Sequence, residues 1–101
     1  MRPQELKLLV IFDVIMTENS ITRAAERLSM TQPAVSNAVA KMRLLWKDEL
    51  LVPDGRKVQP TSYAKNLWEK VRDSLHNINQ AIEPEEFEAK SAKRTFRVAL
   101  P

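Results

Sequence analysis

The sequence contains no cysteine, which excludes a disulfide framework and any thiolate chemistry. Its single histidine, His76, has no second histidine with which to complete a metal site and reads as a surface or partner-facing residue. Its single glycine, Gly55, rules out a glycine-rich loop around a phosphate. No apolar run is long enough to cross a membrane. Charges as early as Arg2 and Glu5, with no small-residue cleavage site after them, exclude a secretory signal. No carboxylate pair stands out on an apolar face, no histidine lies near Ser36 in sequence, and Asp13 and Glu18 read as helix-surface charges. These absences argue against an enzyme and against a resident cofactor or metal, and they make a reduced, cytoplasmic setting the default.

What remains is a chain of 101 residues, room for one small domain and an extension. A core of that size is modest and gains from association. The formal charge of +3 and an isoelectric point near 9.5 suit a nucleic-acid partner without proving one.

Residues 20–45 organise the chain. Ser20 is a good N-cap, and Ala24, Ala25 and Leu28 follow as one apolar stripe at helical spacing. Two adjacent alanines let another helix approach closely. Ser29-Met30 makes a turn, Thr31 caps a second helix, and Pro33 falls in its first turn, where a missing N–H costs little. In that second helix Val35, Val39 and Met42 take the spacing of a buried stripe. Gln32, Ser36, Asn37 and Lys41 fall on the other side, with Pro33 and Ala40 between them. Amides can pair with adenine in the major groove, hydroxyls can reach bases or phosphates, and Pro33 or Ala34 can meet a thymine methyl. On an isolated helix this face would read as ordinary solvated surface. The preceding helix and turn favour a recognition helix over residues 31–45.

Before this unit, residues 6–18 predict a helix, with Leu6, Leu9, Phe12 and Met16 at three- and four-residue steps and Val10, Ile11 and Val14 widening the stripe. Val10 and Val14 fit a scaffold and a contact with a second subunit equally well. After the unit, residues 46–49 end the helix, 50–52 predict a short strand, Pro53-Asp54-Gly55 a turn with positive φ at the glycine, and 56–59 the returning strand. Arg56 and Lys57 then lie near the tip of a two-stranded wing, placed for phosphates or the minor groove. The plain alternative is a solvated hairpin with incidental charge.

Thr61 is the expected N-cap of a long helix, 61–82, with Ala64, Leu67, Val71, Leu75, Ile78 and Ile82 as one stripe and Trp68 at its edge. Such a helix is roughly 30 Å long, too long to rest wholly on a small domain. Pairing with a second copy through Leu67, Val71, Leu75, Ile78 and Ile82 is the favoured reading, and folding back over the domain the alternative. Pro84 ends this helix, residues 89–93 suit a hinge, and the alternating segment from Arg94 is β-prone. A lone strand has no sheet to join here, so the chain reads as an N-terminal fragment with a further domain beyond Pro101.

The stretch TRAAERLSMTQPAVSNAVAKM resembles the helix-turn-helix of LysR-type transcriptional regulators. The carrying residues are Ala24-Ala25, Leu28 and Thr31-Gln32-Pro33-Ala34-Val35-Ser36, with Thr31 where the family usually has serine. The resemblance extends from Leu6 to Pro101, and LKLLVIFDVIMTENSITRAA and QPAVSNAV are worded as in the LeuO/NodD-like branch. It implies a linker helix that dimerises, with the final segment as the first strand of an effector-binding domain that carries any small-molecule ligand. It also implies a partly palindromic site of T and A bound by a dimer or a dimer of dimers. Three positions depart from the pattern: Arg43 for a common glutamate, Lys47 for a common glycine before the wing, and Pro53 for a common arginine after the first wing strand. The first two add positive charge near DNA and the third removes one.

The expected architecture is therefore mainly α: a winged helix-turn-helix of three helices and a two-stranded wing (1–60), a linker helix (61–82), and a hinge with a strand (83–101). Base contacts are expected from Gln32, Pro33, Ser36 and Asn37. Phosphate or groove contacts are expected from Ser20, Arg23, Thr31, Lys41, Arg56 and Lys57. The competing function is a helical dimerisation or adaptor module without DNA binding.

Overall fold

The computed structural model describes residues 2–55 and 57–83, so Arg56 and the expected hinge and strand lie outside the described residues. Helix α1 (Pro3–Glu18) begins three residues before the predicted start, because Pro3 at its first position carries a φ already suited to a helix. It closes on Asn19 in the left-handed region, whose N–H returns to the Ile15 carbonyl at 2.7 Å. Helix α2 (Ile21–Leu28) starts at once, with the Arg23 N–H donating to Ser20 Oγ at 3.2 Å. Ser29, also left-handed, ends it, and helix α3 (Gln32–Trp46) begins after Thr31, whose Oγ1 accepts from the Ala34 N–H at 3.2 Å.

The tight joins force the three helices to cross closely, and Ala24 and Ala25 are buried where they meet. Phe12, Ile15, Val35 and Met42 fill the centre with no exposed surface. The Phe12 ring meets Trp46 edge to face at 5.8 Å, joining the middle of α1 to the end of α3. Val14 is buried in this core and Val10 is exposed, which separates two residues that the sequence left equivalent.

Strands β1 (Leu51–Asp54) and β2 (Lys57–Pro60) form the wing as an antiparallel pair. The turn comes later than expected. Pro53 and Asp54 belong to β1, Asp54 pairs with Lys57, and Gly55 at φ +65° opens the turn. Two prolines fit this ladder because of its phase. The Thr61 N–H donates to the Leu50 carbonyl at 2.9 Å, so Leu50, Val52 and Asp54 take the hydrogen-bonded positions. Pro53 and Pro60 fall between them, where a missing N–H breaks no rung.

Helix α4 (Ser62–Ile82) is capped by Thr61, whose Oγ1 accepts from the Ala64 N–H at 3.1 Å. Its first half folds back onto the domain. Ala64 and Val71 are buried, and Leu67 and Trp68 pack half-buried. Trp68 Nε1 donates to Asp13 Oδ1 at 2.9 Å, and the Arg72 guanidinium lies over the indole at 4.7 Å. Asp13, expected as a plain surface charge, is thus the half-buried acceptor that docks α4 on α1. Beyond Val71 the stripe rises out of the domain: Leu75 is half-buried, Ile78 is 46% exposed and Ile82 73%. No helix among the described residues is long and apolar enough to cross a membrane.

Candidate nucleic-acid interface

Around α3 the buried and open positions divide cleanly. Val35, Ala38, Val39 and Met42 face the core, and Gln32, Pro33, Ser36, Asn37, Ala40 and Lys41 are exposed. At 100° per residue the open arc runs from Gln32 and Ser36 on one side, through Ala40 and Pro33, to Asn37 and Lys41 on the other. Among the described residues, none of these side chains is hydrogen-bonded within the chain. Their donors and acceptors are free for a partner, while the backbone beneath is fixed by the core.

The two edges of the arc meet different surroundings. On the Gln32 side, a cleft of about 840 Å³ lies between α2, α3 and the wing. Ser20, Arg23, Gln32 and Lys57 all line it, so four of the expected contact residues converge from three elements. The α2 N-terminus opens here, the positive end of its dipole and a favourable place for an anion. On the opposite side, Asn37 and Lys41 border a groove of about 520 Å³ shared with Gln4 and Lys7 of α1. Ala40 and Pro33 crown the helix between the two, with Ser36 towards the Gln32 side. The expected base contacts therefore form one convex ridge on α3, with a cleft on either flank.

Charge follows the same division. Arg27 is paired with Glu18 at 3.0 Å, whereas Arg23, Lys41 and Lys57 form no salt bridge with other described residues. Thr31 keeps its hydroxyl proton although its oxygen serves as the cap. Arg43, expected to add positive charge near DNA, is engaged with neutral acceptors inside the chain. Its Nε donates to the Glu49 carbonyl at 2.8 Å and an Nη donates to the Leu51 carbonyl at 2.7 Å. Lys47 holds the left-handed position that ends α3, at φ 55°, a conformation costing a non-glycine residue about 1 kcal/mol. Thr22 and Lys7, which line the two clefts, carry no signal in the sequence. Each lies close to a residue that does, and only the three-dimensional crossing brings it to the ridge.

Comparison with known proteins agrees with this geometry. Residues 6–65 match the family of bacterial regulatory helix-turn-helix proteins, lysR family. The chain belongs to the LysR family. Among its LysR-family relatives, the HTH-type transcriptional regulator LeuO of Escherichia coli K12 is 43% identical over 100 residues, covering 99% of this chain and 32% of LeuO. Nodulation protein D 2 of Bradyrhizobium elkanii is 42% identical, over 95% of this chain and 29% of that protein. The chain spans about a third of the length of these relatives. Among solved structures, the probable transcriptional regulator PA0477 of Pseudomonas aeruginosa superimposes with a TM-score of 0.75 at 31% identity, over 77% of this chain and 26% of that one. The BenM DBD in complex with catB site 1 DNA gives 0.70 at 26% identity, over 76% of this chain and 83% of that one. Three helices, a two-stranded wing and a long following helix are thus the LysR-family arrangement.

Proposed function

We propose that this chain is the sequence-specific DNA-binding part of a bacterial transcriptional regulator. The observation that carries this reading is the exposed polar ridge of α3, unpartnered among the described residues and backed by a fully packed core. Gln32, Pro33, Ser36 and Asn37 read base edges in the major groove, and Lys41 holds a phosphate beside them. Ser20, Arg23 and Lys57 hold phosphates along the cleft and Thr31 one at the start of α3, with Arg56 beside Lys57 in sequence. The likeness to a BenM DBD seen on DNA supports the same orientation. Residues 1–60 are the DNA-binding unit and 61–82 the linker helix, acting on DNA in the bacterial cytoplasm.

An anisotropy titration against mixed duplexes across a range of salt tests the reading. Binding is expected to weaken steeply as salt rises, and no binding would favour the adaptor alternative. Lys57→Ala should weaken binding to every duplex and flatten log K against log salt by about 0.9 for each phosphate that is no longer neutralised. An unchanged slope would remove Lys57 from the interface.

The second part of the proposal is a dimer, in which two ridges meet two half-sites about one DNA turn apart. Leu67 and Val71 are already engaged within the chain, so the surface offered to a second copy is Leu75, Ile78 and Ile82. Ile78→Glu is expected to give a monomer on sedimentation and a loss of about 10²-fold in apparent affinity for a two-half-site duplex. Retention of the dimer would exclude this pairing.

A further inference from the structure

We propose that Arg43 is a positioning residue for DNA binding: it fixes the wing against the recognition helix without touching DNA itself. The inference rests on the DNA-binding reading above and adds a residue to it.

Arg43 stands seven residues after Ser36, on the same stripe of α3 and two turns further along. The wing lies on that side, and the half-buried guanidinium reaches into its base. Nε takes the Glu49 carbonyl and an Nη takes the Leu51 carbonyl. The second bond matters because of the ladder's phase. Leu51 pairs with Pro60 at a position between rungs, so its carbonyl points away from β2 and no strand neighbour supplies a donor. Arg43 supplies it from the recognition helix.

The tie adds polar anchorage to a wing whose Leu51 and Val58 are buried in the core. A two-stranded hairpin is marginal alone. The link from α3 to β1 also has two residues of positive φ, Lys47 and Leu50, which weaken any intrinsic preference for its path. Asp48 provides a matching tie on the far side: its Oδ2 accepts from the Leu50 N–H at 2.9 Å and from Thr61 Oγ1 at 2.7 Å. The wing base is therefore bracketed, to α4 through Asp48 and to α3 through Arg43. Beside the burial of Leu50, Leu51 and Val58 in the core, the second tie holds the wing that carries Lys57 to the helix that carries Gln32 and Ser36. A planar fork of donors reaches two carbonyls at once, and a single ammonium does so poorly, so lysine keeps the charge and loses the clamp.

The test is a double-mutant cycle of Arg43→Lys and Lys57→Ala, read as affinity for selected and random duplexes at several salt concentrations. Arg43→Lys alone is expected to weaken both complexes three- to tenfold and to flatten the salt dependence as Lys57→Ala does. In the Lys57→Ala background it should cost less than twofold, because the wing no longer reaches a phosphate there. Losses that multiply in full would mean that Arg43 acts directly or elsewhere, and would overturn the proposal. So would unaltered binding by either single variant. Failure of the unmodified chain to bind any duplex would instead reject the DNA reading itself. Amide hydrogen exchange guards against a general loss of folding. Faster exchange confined to 49–60 is expected in Arg43→Lys, and uniform acceleration across α1, α2 and α3 would contradict a local role.

Discussion

Phe12→Ala is expected to destabilise the domain by about 3–5 kcal/mol, enough to leave much of it unfolded at ordinary temperature. Phe12 has no exposed surface, and its ring stacks edge to face on Trp46. Truncation removes a large buried side chain and leaves a cavity between α1 and the end of α3. The ring's neighbours are themselves held by tight helix joins at Asn19 and Ser29, so the site cannot easily collapse. Urea denaturation followed by circular dichroism measures the effect. A loss under about 1.5 kcal/mol would show that the ring is not the keystone of this core.

The second large effect concerns recognition. Gln32→Ala combined with Asn37→Ala is expected to cost about 2–6 kcal/mol on a selected duplex and little on random DNA. Each amide is worth about 1–3 kcal/mol of base discrimination, and the two lie far enough apart around α3 for the losses to add. Both side chains are exposed and make no hydrogen bond with described residues, so folding should be undisturbed. Equal losses on selected and random duplexes would show that they hold the backbone and do not read bases.

Much of this architecture was legible because its signals are local. Ser20, Thr31 and Thr61 each cap a helix by accepting an N–H three residues on, a bond that depends only on the nearby backbone. The buried stripe of Val35, Val39 and Met42 follows from helical periodicity. The polar ridge opposite was legible as its complement. Other features have no local signature. The Trp68–Asp13 bond joins residues 55 apart in sequence, so neither side chain announced the other. The carbonyls that Arg43 clamps belong to backbone, which a sequence never displays. Pro53 and Asp54 looked like a turn because of their residue types. The register that makes them strand depends on a pairing fixed outside them, at Leu50 and Thr61. The stripe of α4 reads as continuous in sequence, yet its burial falls away beyond Val71, from half-buried Leu75 to exposed Ile78 and Ile82.

In the proposed function, the open face of α3 distinguishes one DNA sequence from another. Duplexes selected from a random pool by this chain, titrated beside shuffled versions of the same composition at 0.15 M salt, roughly a physiological ionic strength, test it most directly. Binding about 10³-fold or more tighter to the selected sequence is expected. Equal affinity for selected and shuffled duplexes would contradict it.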